Sequence, residues 1–181
     1  IKYNSKGNLM SSKSPLKRFV FLLLDEFSQL PFSCAVETLR HANRFCEYFA
    51  YDWILVGPSG EFTTASNGIE FKLDVGFEDT KRNDVIVVCG GLNINKHTTQ
   101  PVLNWLRKEA RRGTQIGSIC TATYTLARAG LLDGKRSTIH WENLDSFAKK
   151  FEWFHPLKFP SLIIIQCREG PKRIIDLIKT D

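Results

Sequence analysis

The segment Gly117-Ser118-Ile119-Cys120-Thr121-Ala122 places a cysteine between an apolar strand-like run and an apolar helix-like run, with small neighbours that permit a sharp turn. At such a nucleophile elbow the side chain is pushed out at the carboxyl end of a sheet, and the following backbone N–H groups can hold an oxyanion. The start of a helix would also favour the thiolate and depress its pKa. Cysteine is equally a common small core residue, so the spacing leaves both roles open for Cys120. His140 follows the short run Ser137–Ile139 and can approach the same edge, where an imidazole could pair with a thiolate. Beside Trp141 it also fits a purely structural role. Gly90-Gly91 closes a buried run, and its unobstructed backbone could line a pocket or simply make a tight turn. Glu37 lies opposite the Ala35/Leu39/Phe49 stripe of its helix, which reads as a solvated carboxylate.

The elements that must position these residues alternate between short apolar runs and helical stretches, the pattern of an α/β fold with a mostly parallel sheet. Phe19–Leu24 is a continuous apolar run, expected for a central strand covered on both faces. After a loop over Asp25–Pro31, the spacing of Ala35, Leu39, Ala42, Cys46 and Phe49 predicts the first crossover helix. Trp53–Val56 is a second strand, and Phe62–Ala65 with Ile69–Leu73 predicts a hairpin around Asn67-Gly68. Val85–Val88 and Gln115–Ile119 are two more strands. Pro101 opens a helix that Gly113 ends, and Thr121–Ala129 is a helix that Gly130 ends. Ser137–His140 is short enough for an edge strand, and Trp141–Phe151 is expected to be helical. Leu162–Ile165 reads as a strand and Pro171 as the start of a helix over Ile174, Ile175 and Ile178.

The chain has 181 residues, 43% of them hydrophobic, enough for one core and excluding a disordered or collagen-like chain. Its longest apolar runs fall far short of a membrane span, so no membrane partner is expected. The net charge of +6 is spread along the chain, and Arg107–Arg112 carries its charges on a solvated helix face, without a helix-turn-helix. Five cysteines without a C-x-x-C pair, and no apolar leader, point to a reducing cytoplasm. Cys89, Cys120, Cys167 and His140 lack zinc-type spacing, so no metal or other cofactor is expected. Residues 1–14 read as a polar leader, and residues 15–181 as a single domain.

Several ordered segments are similar to a known family. They are the helix Ala35-Val36-Glu37-Thr38-Leu39-Arg40-His41-Ala42-Asn43, the Ala65-Ser66-Asn67-Gly68 turn and the Val87-Val88-Cys89-Gly90-Gly91-Leu92 run. The most specific is Ala127-Arg128-Ala129-Gly130-Leu131-Leu132-Asp133-Gly134, leading into Thr138-Ile139-His140-Trp141-Glu142-Asn143. Over about Phe19 to Phe154 the chain resembles the class I glutamine amidotransferase-like (PfpI-type) domain at the N-terminus of AraC/XylS-type transcription regulators. That resemblance implies a flavodoxin-like three-layer sandwich. It places Cys120 at the superfamily's nucleophile position, His140 at its T-x-H-W histidine and Glu37 at the acidic position of the first helix.

The resemblance further implies a small nitrogenous effector held by Gly90, Gly91, Cys120, Thr121, His140 and Trp141, and a homodimer, for which Phe32, Phe45 and Tyr48, on or before the first helix, are the apolar or aromatic surface candidates. DNA would be reached only through a C-terminal helix-turn-helix domain that this chain, ending at Lys179-Thr180-Asp181, does not contain. Aspartate often replaces the elbow cysteine in such regulators, so sensing rather than catalysis is the expected role. The alternative is a free-standing cysteine-dependent hydrolase or hydratase acting on an amide or isocyanide. The stretch Cys167-Arg168-Glu169-Gly170-Pro171-Lys172-Arg173 departs from the family's glycine-rich turn before the last helix.

Overall fold

Residues 17–45, 49–78, 80–81, 83–135, 137–151, 163–167 and 170–172 are described by the computed structural model. Strand β1 (Lys17–Leu23) is the spine of a six-stranded sheet of order β2-β1-β5-β6-β7-β8. It pairs parallel with β2 (Tyr51–Val56) and β5 (Val85–Cys89), β5 pairs parallel with β6 (Gln115–Ile119), and β7 (Ile163–Cys167) and β8 (Gly170–Lys172) follow in antiparallel pairing. The sheet is therefore flavodoxin-like at its centre and mixed at one edge.

Alternation along β1 divides the core into two layers. Phe19, Phe21 and Leu23 pack with Phe32, Ala35 and Leu39 of helix α1 (Gln29–Phe45). Val20 and Leu22 face the other way, toward α3 (Gln100–Arg111), α4 (Thr123–Arg128) and α5 (Leu144–Lys150), among Val102, Leu106, Leu126 and Phe147. A strand buried on both faces needs such a continuous apolar run, and each large side chain so buried contributes roughly 1.5–3 kcal/mol of transfer free energy. Asn43 ties the end of α1 to β2, donating to the Tyr51 carbonyl at 2.7 Å and accepting from the Tyr51 and Ala50 amides at 2.9 and 3.1 Å. The predicted hairpin is present as β3 (Phe62–Thr64) and β4 (Glu70–Lys72), paired antiparallel with Gly68 in a left-handed turn.

Four expectations change. Helix α1 starts at Gln29, so Pro31 lies inside its first turn, where a proline's missing N–H costs nothing. Phe32 is buried in the core rather than part of a surface. The strand expected over Ser137–His140 is reduced to a single bridge residue, Ser137, and the chain then enters a short 3₁₀ turn over Trp141–Asn143. Pro171 lies in β8 rather than opening a helix. Residues 1–14, Cys46, Tyr48 and the predicted helix over Ile174–Ile178 lie outside the described residues.

Candidate functional site

Strand β6 ends at Ile119 in extended geometry (φ −120°, ψ 140°), and the next residue, Cys120, has a left-handed backbone (φ 59°) before the chain enters the 3₁₀ turn and α4. A left-handed non-glycine residue costs about 1–2 kcal/mol and persists only where its surroundings hold it. Here they do. The Thr121 hydroxyl donates to the Gly91 carbonyl at 2.8 Å. Thr123 Oγ1 donates to the Thr138 carbonyl at 2.7 Å, leaving its lone pair for the Ser118 hydroxyl at 3.0 Å.

Gly90 and Gly91 permit three loops to meet. A Cβ on Gly90 would lie 2.7 Å from the Ala122 amide nitrogen, and one on Gly91 only 2.1 Å from the Glu26 carbonyl oxygen. The glycines thus serve close backbone approach between the ends of β1, β5 and β6. That is more than a tight turn.

The Cys120 thiol is half-buried. Burial pushes its pKa up, a hydrogen bond from the Thr121 backbone N–H opposes this, and the Glu142 carboxylate raises it further. The expected depression by a helix N-terminus is therefore overturned. The helix after the turn is only six residues long, and desolvation outweighs its dipole. Neighbouring Cys89 is fully buried, and its thiol is pushed up well beyond the usual range, first by burial and then by Cys120.

His140 precedes the 3₁₀ turn. Its Nδ1 lies 3.7 Å from Glu142 Oε2, and its ring leans on the exposed Trp141 at a centroid separation of 5.8 Å. Among the described residues no hydrogen bond joins His140 to Cys120. Glu142, on the same turn, bears on both: it faces His140 and its charge acts on Cys120. Glu37 stands apart. Its side chain is 51% exposed, bound by Arg40 through Nε at 2.9 Å and Nη2 at 2.5 Å, with His41 at 3.8 Å. The arginine holds its carboxyl below the usual glutamate range. The acid beside the elbow is Glu142, not Glu37.

Glu26 was not singled out from the sequence. It too has a left-handed backbone (φ 58°), and its Oε2 accepts hydrogen bonds from Asn93 Nδ2 at 2.8 Å and His97 Nε2 at 2.9 Å. His97 and then Asn93 hold its carboxyl below the usual range. Among the described residues, no hydrogen bond reaches its other oxygen. The signal was positional: Asp25-Glu26 directly follows the central strand. The chain runs from β1 to β2 on one side and later to β5 on the other, so the crevice outside the ends of β1 and β5 is where α/β sheets of this kind bind ligands. Asp25 itself is structural, accepting from the Thr63 hydroxyl and the Thr64 amide, each at 3.0 Å.

A parallel α/β core with a cysteine at the strand-to-helix turn and glycines at the neighbouring strand end defines a flavodoxin-like sandwich. The chain belongs to the DJ-1/PfpI family, whose sequence profile matches residues 17–155. It is similar to the HTH-type transcriptional regulators CdhR (41% identical over 133 residues, 74% of this chain) and GbdR (37% over 131 residues, 72%), both of Pseudomonas aeruginosa. It spans 39% and 36% of their lengths. The fold is similar to that of an AraC family transcriptional regulator from Pseudomonas putida (TM-score 0.72, 25% identity, 88% of this chain and 84% of that one). Among the described residues no group of three or more His, Cys, Asp or Glu could hold a metal ion, and no helix is long and apolar enough to cross a membrane.

Proposed function

We propose that this chain is the effector-sensing domain of an AraC-type transcription regulator. It binds a small nitrogenous metabolite in the mouth formed by Gly90, Gly91, Cys120, Thr121, His140 and Trp141, and it works in the cytoplasm as a homodimer. In this reading DNA is contacted by a separate helix-turn-helix domain. The observation that carries it is the state of the Cys120 turn: strained and braced like a functional site, yet with its thiol pushed toward the protonated form and, among the described residues, no base hydrogen-bonded to it. Efficient covalent catalysis needs a base in reach, itself oriented by a third group, whereas sensing needs only differential binding between two states. Glu26 supplies what a nitrogen cation would seek: an ionised carboxylate with one oxygen that no hydrogen bond reaches among the described residues, at the switch point. Kinship with regulators points the same way.

The alternative, a cysteine-dependent hydratase or hydrolase, draws on one relative, the isonitrile hydratase of Pseudomonas putida, 38% identical over 79 residues but covering 43% of this chain and 35% of that protein. A panel of amino acids and quaternary amines screened by thermal shift, with a product assay on each hit, separates the two. We expect a ligand that raises Tm, leaves the mixture unchanged and still binds Cys120→Ala. Multiple turnovers abolished in Cys120→Ala would overturn the sensing role.

A further inference from the structure

A concavity lies between α2 (Ile94–His97), α4 and α5, with a volume of about 110 Å³. Ile94, Ile139 and Phe147 form its apolar floor, and Asn95, Asn143 and Lys150 its polar wall. None of Cys120, His140, Gly90 or Gly91 lines it. We propose that this cleft binds a short-chain carboxylate, with Lys150 taking the charge and the floor taking the alkyl chain.

The argument begins with Lys150. Its ammonium donates to the Tyr124 hydroxyl at 2.6 Å and sits 4.8 Å from that ring's centroid, so the phenol aims an otherwise flexible side chain at the cleft. An ammonium has three N–H donors, and a single phenol oxygen engages one of them, leaving donors for a ligand. Among the described residues no Asp or Glu lines the cleft to compete for that charge. An anion is thus attracted, and an amine of the same length is repelled. The volume sets the size: a cavity of ~150 Å³ accepts benzene, so 110 Å³ suits about four to six non-hydrogen atoms, the range from acetate to butyrate. A dicarboxylate would bring a second charge onto the apolar floor with no partner there.

The cleft can also report on the mouth. Asn143, in its wall, donates its backbone N–H to the His140 carbonyl at 2.9 Å, and Glu142, the neighbour whose charge acts on Cys120, precedes it. A ligand that draws Asn143 and Lys150 together would act on the turn carrying His140 and Trp141.

The test is a titration of the full 181-residue chain with sodium acetate, propionate and butyrate at constant ionic strength, followed through the backbone amide NMR resonances of Asn95 and Asn143. Saturable shifts are expected, tightening about fourfold per added CH2. Lys150→Gln should weaken binding by about tenfold or more, and Lys150→Arg should largely retain it. The cleft is lined by none of Cys120, His140, Gly90 or Gly91, so failure of the proposed sensing mouth to bind an effector leaves this result intact, and the converse holds. Several results would overturn the proposal: no saturation with a folded spectrum, undiminished binding in Lys150→Gln, loss in Lys150→Arg despite a folded spectrum, or equal binding of propylamine or propanol.

Discussion

At the carboxyl edge of the sheet Glu26, Asn93 and Cys120 all have left-handed backbones, with φ of 58°, 47° and 59°, on three loops that touch through glycines. At the amino edge Arg18 closes a two-bond ion pair on Asp84, Nε to Oδ1 at 3.1 Å and Nη2 to Oδ2 at 2.6 Å, and Asp84 also accepts from the Lys81 amide at 2.7 Å. Nearby, Glu109, fully buried on α3, accepts from the Thr80 hydroxyl, and Thr114 and Arg112 lie at 3.4 and 3.5 Å from its carboxylate. One edge stores backbone strain beside open polar groups. The other pairs its charges, and the left-handed non-glycine residue described there is Asn83, which like Asn93 is of a type that tolerates that geometry, so the strain of the carboxyl edge lies at Glu26 and Cys120. In the proposed sensing role strain gathers where the ligand would be met, while paired charges hold the other edge, although Glu109 Oε1 is buried there with no hydrogen bond among the described residues. The two edges should therefore fail differently.

The largest effect should come from Gly91→Ala. The new Cβ would meet backbone rather than a movable side chain, so we expect a loss of about 3 kcal/mol or more in urea unfolding, insensitive to salt. A shift below 1 kcal/mol would mean the loops are not in the contact described. Asp84→Ala, at the other edge, should cost about 2–3 kcal/mol, because it strands Arg18 and the Lys81 amide together. Effector binding should survive it, whereas Gly91→Ala should lose both. If Asp84→Ala removed binding in a folded protein, the division between the edges would be wrong.

A smaller and cleaner difference separates Cys120→Gly from Cys120→Ala. Both lack the thiol, but only glycine has no Cβ to clash at φ 59°, so the glycine variant should be more stable by about 1 kcal/mol. Equal urea midpoints would indicate that the turn relaxes once the thiol is gone.

The thiols themselves extend the comparison. Cys34 is exposed on α1 and Cys120 half-buried with a raised pKa, so iodoacetamide at neutral pH should label Cys34 first. The Cys120 rate should climb only as pH passes above the usual thiol range. Removing the neighbouring negative charge in Glu142→Gln favours the thiolate and should move that rise to lower pH. Glu26 has the opposite sign. Its folded pKa lies below its unfolded value, so its contribution is fully present above the ordinary glutamate range and is lost as pH falls through the folded value. In His97→Ala the NMR titration of Glu26 should move upward. Phe45, 84% exposed on α1, is the surface on which the homodimer is proposed, and a sedimentation mass near 20.7 kDa at high concentration would refute that dimer.

What could be read from the sequence follows the same division. The apolar runs of β1, β5 and β6 were legible because a strand covered on both faces leaves little freedom of composition. The Cys120 turn was legible because small residues between a strand and a helix have few other uses. The sign of its pKa shift was not, because it depends on how deep the thiol lies and on Glu142, which arrives through tertiary packing. Glu26 was overlooked for a related reason: a carboxylate after a strand looks like any loop acid until His97 and Asn93 close on it from 71 and 67 residues away. The short strand predicted at Ser137–His140 is reduced to a single bridge residue at Ser137, because the chain turns into the 3₁₀ segment at Trp141 before a ladder can run.

The smallest expected effect belongs to Glu37, and it sharpens the boundary of the carboxyl-edge site. The resemblance assigned this residue the family's acidic position, yet its carboxylate is out in solvent on α1, bound by Arg40 one turn along. An exposed i,i+3 pair of this kind contributes little to stability, because solvent screens it and two long side chains must be ordered to form it. Glu37→Gln should therefore leave the urea midpoint, the Cys120 alkylation profile and effector binding unchanged. Glu26→Gln should weaken binding of a cationic effector while the protein stays folded, since it removes the charge that His97 and Asn93 hold in place. If the two variants exchanged behaviour, with Glu37→Gln abolishing binding and Glu26→Gln silent, the ligand would have to approach along α1. The carboxyl edge would then be a strained structural joint rather than a site.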